Sequence, residues 1–530
     1  MNLNITFSIV KLKKLFMPLT RVNPIYIVLS VAFVLSLGSA LYFLKHDLIL
    51  AYGDAESHLN ISKRVIQSIT PGFAQLGGIW LPFPHLMMIP FVWLDPLWRS
   101  GLAGSIVSGM CFIISSLYVY RLTFLLTRHT FASFAASLVF MFNPNILYLQ
   151  ATPMTEMPLI MFFLLSSYYF IIYIKNERKL SGLLLAAFFG FCAVLTRYDG
   201  WFLVLIEALT IVGLDLTKRE HWQRIEGKFF LFSTLAFFGA AIWMMWDFLI
   251  LGDPFYFTTS EFSARSQQMS WMQRGELPAY HNLPLSFLYY FITGMSNSGI
   301  LMFALALTGL FLFFRDKKVT YRYAIGIILL VPVLFNTFTL FMGQSVIFIP
   351  HLTPVSFEWR LFNVRYGALI IPVVAFLCAY AFYRLRSTMA RSVIIVLFFL
   401  QFGLYMIGYS RVITIADGTD GLSRAKRPDA ERFISSNYDK GLVLIDDYAR
   451  TLSILRSGIP MQKIIYVGNK PYWQESLKEP EKYATWIIMQ KDDTVWKNIY
   501  DNPVIQGRLY AHFQKVYTSP QILIFKRFTP

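Results

Sequence analysis

The sequence predicts an all-α polytopic membrane domain of about eleven transmembrane helices, followed by a small extracytoplasmic α/β domain. Three observations carry this. Apolar runs of about 20 residues, the length that crosses a bilayer, recur between residues 24 and 409. Charged residues make up 15% of the 530 and hydrophobic ones 56%, against roughly 25% and 45–50% in soluble domains. The basic residues between the runs all fall on one side if the N-terminus is cytoplasmic and each run crosses once.

The candidate spans are residues 24–44, 101–126, 130–149, 157–174, 181–197, 200–216, 229–250, 286–314, 323–341, 366–383 and 392–409. Lys11, Lys13, Lys14 and Arg21 precede the first. Ile25–Leu44 is long enough to span and no small-residue cleavage site follows, so it reads as a retained helix rather than a signal peptide. Arg121 and Arg128, Lys175/Arg178/Lys179, Lys218/Arg219/Arg224/Lys228, Arg315/Lys317/Lys318/Arg322 and Arg384/Arg386/Arg391 supply the cytoplasmic turns. The formal net charge of +17 is therefore an orientation signal toward membrane lipids, and nucleic acid is excluded as a partner. Cys111, Cys192 and Cys378 lie inside apolar runs and form neither a disulfide framework nor a ligand spacing.

This topology makes residues 1–410 the transmembrane unit, with a large first external loop at 45–100, and 411–530 an external unit. In the latter, helices at Pro428–Tyr438, Tyr448–Arg456 and Tyr472–Tyr483 alternate with strands at Gly441–Ile445, Ile464–Val467 and Trp486–Met489. A last apolar stretch, Gln521–Phe525, completes an expected mainly parallel sheet. No glycine fingerprint follows a strand, which argues against a nucleotide site. Compact loops favour a bacterial inner membrane over an endoplasmic reticulum; the low cysteine count fits both.

The external side holds the chemistry-bearing residues. Tyr52-Gly53-Asp54-Ala55-Glu56-Ser57-His58-Leu59-Asn60 sets two acids and an imidazole beside a membrane face, where polar groups cost desolvation. Asp54 opens an amphipathic segment expected to lie along the membrane surface, and shares a helix face with His58 four residues on. The alternative is that Asp54 is only the N-cap of that helix. Gly77-Gly78-Ile79-Trp80-Leu81-Pro82-Phe83-Pro84-His85 reads as a re-entrant or turn-rich path with His85 as a site group, or as a plain loop. Arg197 and Arg365 stand at external helix ends, suited either to phosphate or to snorkelling and pairing with a neighbour such as Asp199. Glu156 reads as an acceptor-binding acid or a helix-start residue. Aromatic residues interleave the charged ones in loops 251–285 (Glu261, Arg265, Arg274, Glu276, His281) and 342–365 (His351, Glu358, Arg360), which suits a sugar-covering lid.

Four of these motifs occur in one order on one face: the acid-bearing first loop, Thr152-Pro153-Met154-Thr155-Glu156-Met157-Pro158, Leu195-Thr196-Arg197-Tyr198-Asp199-Gly200, and Val364-Arg365-Tyr366-Gly367. That arrangement resembles the GT-C superfamily of polytopic glycosyltransferases, closest in plan to protein O-mannosyltransferases and bacterial lipid A aminoarabinose transferases. The resemblance implies transfer of a sugar from a polyprenyl-phosphate donor to a glycan, lipid or protein acceptor, with inversion. It implies Asp54 as general base, with His58, His85, Glu156, Arg197, Asp199, Arg365 and Tyr366 binding substrate. The O-mannosyltransferases carry adjacent Asp-Glu, whereas Ala55 separates the acids here, so Glu56 stays a second catalytic candidate beside Asp54. Some relatives use a divalent metal ion, for which Asp54, Glu56 and His58 are the candidate ligands. The competing reading is a transporter or lipid flippase, with Glu207 and Asp247 as its isolated intramembrane acids.

Overall fold

In the computed structural model, residues 23–176, 180–354, 356, 360–421, 428–447 and 452–528 are described. Lys11, Lys13, Lys14, Arg21, Arg178, Lys179 and Glu358, with residues 448–451 of the expected 448–456 helix, lie outside them. The chain is mostly helical, with one small sheet near its C-terminus.

Among the described residues, seven helices are long and apolar enough to cross a membrane: Pro24–Lys45, Leu102–Thr127, Glu156–Lys175, Tyr198–Thr217, Trp222–Leu251, Val364–Arg384 and Thr388–Met406. Two bent pairs raise the number to nine if each is one span. The expected spans 130–149 and 181–197 fall on shorter helices, Thr130–Met141 and Leu180–Val194. Asn143 ends the first of these early: its side chain accepts the Asn145 and Ile146 N–H groups and starts a separate turn at Pro144.

The expected helix 286–314 is broken. Leu283–Ser298 and Ile300–Arg315 meet at 115° across Gly299, whose φ of 83° takes the chain out of the helical region. A break at such depth exposes backbone groups that hydrocarbon cannot satisfy. Side-chain amides do so instead. Asn143 and Asn145 both donate to the Asn297 carbonyl at 2.9 Å, and the Leu301 N–H donates to Gln401 Oε1 at 3.1 Å. Asn297 in turn donates to the Val364 carbonyl at 2.7 Å, which ties the break to the segment that begins with Arg365.

The first external loop folds into helices Gly53–Ile66, Phe83–Val92 and Asp95–Ser100. The 53–66 helix does not lie on a membrane surface with one side free: His58, Asn60, Ser62, Lys63 and Arg64 are buried along with its apolar residues. The C-terminal region covers its polar side. Arg64 bonds Asp447 and packs its guanidinium 3.7 Å from the centre of the Tyr466 ring. Asn469 donates to Ser68 and Thr70, each at 2.9 Å, while Arg99 reaches the Leu455 carbonyl at 3.0 Å. Loop and tail therefore share one end of the helical body. Leu102–Thr127, at about 1.5 Å per residue, carries the chain roughly 39 Å from that end. At its far end the basic turns meet: Lys175 donates to Leu125 O at 3.3 Å, Lys218 lies 4.7 Å over Tyr321, and Arg384 pairs with Asp316 at 3.2 Å.

The sheet has five strands, β1 Val443–Ile445, β2 Ile464–Ile465, β3 Trp486–Gln490, β4 Phe513–Thr518 and β5 Ile522–Arg527, in the order β2-β1-β3-β5-β4. It is mixed rather than mainly parallel: β1 runs parallel to β2 and β3, while β5 is antiparallel to β3 and β4. Strand β4 escapes sequence reading because its residues are largely exposed and Lys515 interrupts the apolar pattern. The β4–β5 hairpin forms where Ser519 turns the chain back onto the Ile522 carbonyl at 2.9 Å.

Candidate active site

Glu156, Arg197 with Asp199, and Arg365 all stand where a membrane helix begins, and the three starts converge beside the 53–66 helix. Glu156 and Asp199 occupy first helical turns, where the peptide dipoles favour a negative charge. Small side chains allow the turn before Glu156 to sit deep. Ser105 and Ser108 donate to the carbonyls of Ala151 and Thr152 at 2.6 and 2.8 Å. Two glycines let backbones touch: a Cβ on Gly200 would lie 2.2 Å from Ala193 O, and one on Gly367 2.3 Å from Thr293 O. The glycines of the 195–200 and 364–367 motifs are thus packing requirements that bring Arg197 and Arg365 together.

Arg365, 3% exposed, is the centre. Its Nη2 donates to Asp54 Oδ2 at 2.8 Å and its Nε to Glu156 Oε1 at 3.1 Å. Its backbone N–H donates to Asp417 Oδ2 at 3.3 Å, and its Nη1 faces the same oxygen at 3.8 Å. Arg197 meets the same Glu156 oxygen at 3.3 Å, Thr155 at 3.0 Å and Asp199 at 3.2 Å. The Tyr366 ring lies beside both cations, 4.9 Å from Arg197 and 5.3 Å from Arg365, and Tyr52 lies 4.9 Å from Arg365. Neither arginine snorkels. Each is held by carboxylates and aromatic faces in a buried cluster, where such pairs depend on one another.

Asp54 is not the N-cap of its helix. Tyr52 holds that position, which leaves the Asp54 carboxylate to Arg365. Glu56 points elsewhere, because two residues along a helix turn a side chain by roughly 200°. It accepts the Leu455 N–H at 3.2 Å in the tail, and burial pushes its carboxyl up against hydrogen bonds from Ser453, Leu455 and Ile454. His58 and His85 meet at 2.9 Å, Nδ1 to Nε2, with Trp80 4.7 Å from the His58 ring centre. His85 sits in the first turn of the Phe83–Val92 helix, so the Gly/Pro-rich run is only partly irregular. Burial pushes His58 down to about 4, although Asp54 and Glu156 pull the other way. His85 is driven well below the usual imidazole range by burial and by His58. Both shifts favour the neutral ring.

Asp54, Glu56 and His58 do not fit a metal ion. Their groups go to Arg365, to the tail and to His85 respectively, and among the described residues no group of three or more His, Cys, Asp or Glu is placed to hold one. Glu207 is fully buried and accepts from Ser166 at 2.9 Å. Loops 251–285 and 342–365 pack on each other through Trp271, Phe348 and Phe362, with Arg274 paired to Glu276 at 2.7 Å.

Tyr52 and Asp417 were not among the expected site residues. Asp417 lies on the short helix Ile413–Asp420 just after the last long helix, fully buried. Burial pushes its carboxyl up to about 6, opposed by Arg365. The available signal was a polar run, Asp417-Gly418-Thr419-Asp420, immediately after a span.

The family model described as dolichyl-phosphate-mannose-protein mannosyltransferase matches residues 99–246. ArnT from Cupriavidus metallidurans, solved bound to undecaprenyl phosphate, aligns with a TM-score of 0.56 at 11% identity, over 93% of this chain and 97% of its own. The Archaeoglobus fulgidus oligosaccharyltransferase in complex with Zn and sulfate aligns with a TM-score of 0.50 at 10% identity, over 94% of this chain and 73% of its own. No curated protein sequence matches significantly. Residues 99–246 thus resemble that mannosyltransferase family, and the chain as a whole shares the fold of these two solved structures.

Proposed function

We propose that the chain moves a sugar from a polyprenyl-phosphate donor to an acceptor hydroxyl, with Asp54 as general base. The observation that carries this is the Asp54 carboxylate held 2.8 Å from a buried arginine, with Glu156 and Arg197 joined to the same cluster. A hydroxyl is a weak nucleophile until a positioned base takes its proton. Asp54 takes that proton as the acceptor oxygen attacks the anomeric carbon. The bond from that carbon to the carrier phosphate oxygen breaks, and the phosphate leaves as an anion. Attack from the side opposite the phosphate inverts the anomeric centre. Arg365 and Arg197 supply the compensating charge; Arg365 Nη1, without a hydrogen bond among the described residues, is the donor still open to a phosphate oxygen. Undecaprenyl phosphate in the ArnT structure and the family's description support a lipid-phosphate donor. The acceptor is a glycan, lipid or protein. His58, His85 and Tyr366 line the sugar side in this reading.

The topology we propose keeps eleven crossings, with residues 1–410 as the transmembrane unit and 411–530 outside the cytoplasm. Two facts support it. Loop and tail meet at one end of the body, which requires an odd number of crossings from a cytoplasmic N-terminus, and the basic turns meet at the other. A bacterial inner membrane is the proposed location.

The test is sugar transfer from a labelled polyprenyl-phosphate donor by the purified chain and its Asp54→Asn variant at equal folded amounts. The variant is expected to lose about 10²- to 10⁴-fold in turnover, the usual worth of a general base. Full transfer by the variant overturns the assignment.

A further inference from the structure

The segment just beyond the last long helix enters the arginine–carboxylate cluster. Ile413–Asp420 is pinned on both sides. The Thr414 N–H and Oγ1 both donate to Asn145 Oδ1 at 3.0 Å, and the Thr414 carbonyl accepts the Tyr52 hydroxyl at 2.6 Å. Asn145 is the residue that also satisfies the broken helix at Asn297, and Tyr52 is the cap of the helix bearing Asp54. So seated, the segment delivers one carboxylate, Asp417, 0% exposed, to the flank of Arg365 left open by Asp54 and Glu156. One oxygen of Asp417 takes the Arg365 N–H, which fixes the backbone from which the guanidinium extends, and faces Nη1. The other oxygen has no hydrogen bond among the described residues.

This is an expensive arrangement for mere packing. A buried carboxylate with an unsatisfied oxygen costs free energy that an apolar residue of similar volume would not. Thr414 and Asn145 already seat the segment. What Asp417 adds is a contact to Arg365 from a direction that no other carboxylate in the cluster occupies.

We propose that Asp417 is a positioning residue of this site, holding Arg365 so that the guanidinium presents one edge to Asp54 and another to Glu156. The proposal rests on the reading of this cluster as the site of transfer. Loss of the Asp417 charge frees Arg365 to turn toward its remaining partners, and the base and the phosphate-binding group no longer keep their spacing.

The test uses the full chain in lipid nanodiscs and two readouts. In transfer assays, Asp417→Asn is expected to lower kcat about 10- to 100-fold while the acceptor KM changes less than about threefold. Asp417→Glu is expected to recover part of kcat. Thr414→Val, which loosens the same segment without touching Arg365, is expected to keep kcat per folded molecule within about twofold. In a structure of the Asp417→Asn chain, the Arg365 side chain is expected to leave Asp54 or Glu156. An Arg365 that keeps both contacts in that structure overturns the proposal, as does Thr414→Val losing as much kcat as Asp417→Asn. If the wild-type chain transfers no sugar at all, the transfer reading falls alone, because the position of Arg365 is read without any donor.

Discussion

At the scale of single residues, the site turns on which acid faces the cation. Asp54 and Glu56 are two positions apart, and the helix sends one to Arg365 and the other to Leu455. Glu56→Ala is therefore expected to leave turnover within about threefold. It should lower stability by about 1.5–3 kcal/mol, the worth of a hydrogen bond to a charged group. Thermal unfolding and transfer assays on one preparation read both quantities. The titrating groups add a pH signature. His58 is lowered from 6.5 to about 4, so it favours the fold above its unfolded value, and that contribution is lost as pH falls toward 4. Asp417 is raised from 3.8 to about 6, so its contribution is full below its unfolded value and is lost as pH rises through 6. Between pH 6 and 4 the two oppose each other. Asp417→Asn is thus expected to show a steeper fall in thermal midpoint on acidification from pH 7 to 4.5 than the wild type, and His58→Gln a shallower one. Parallel curves for all three proteins would contradict the burial of these groups.

At the scale of elements, the broken helix is the least expected feature and the best supported by side chains. Residues 286–314 read as one span because apolar content alone does not register a bend at Gly299. Three amide side chains, Asn143, Asn145 and Gln401, make the bend tolerable by meeting its backbone groups. Asn297 itself holds the carbonyl just before Arg365. Asn297→Ala removes the side-chain hydrogen bond to that carbonyl, at a cost of about 0.5–1.5 kcal/mol, and frees the segment carrying the arginine. The expected result is a lower thermal midpoint together with reduced kcat, whereas an intact kcat at a lowered midpoint would separate the bend from the chemistry. The helix starts at Glu156 and Tyr198, by contrast, were legible from a Pro-flanked acid and an Arg-x-acid-Gly turn.

For the whole molecule, the tail and the first loop form one assembly around the 53–66 helix. The proposed orientation puts both outside the cytoplasm and the basic turns inside. The three native cysteines are buried, so introduced thiols report with little background. Lys482, in the tail, and Arg224, in a basic turn, have side chains 60% and 71% exposed. A membrane-impermeant thiol reagent on intact cells is expected to label Lys482→Cys and to spare Arg224→Cys until the membrane is opened. The reverse pattern inverts the proposed topology.

What the sequence by itself determined was the membrane class, most of the apolar helices, and the identity of Asp54, Glu156, Arg197 and Arg365 as polar residues at one face. Those are local properties: run length, charge bias and the residue at a helix start are each visible within a window of about 20 residues. The tertiary structure decided the rest. Arg365 meets Asp54 across 311 residues and Glu156 across 209, and Asp417 reaches the cluster from a segment that composition assigns to the external unit. A buried ion pair requires partners from distant parts of the chain to be desolvated together, and no window of sequence records that event.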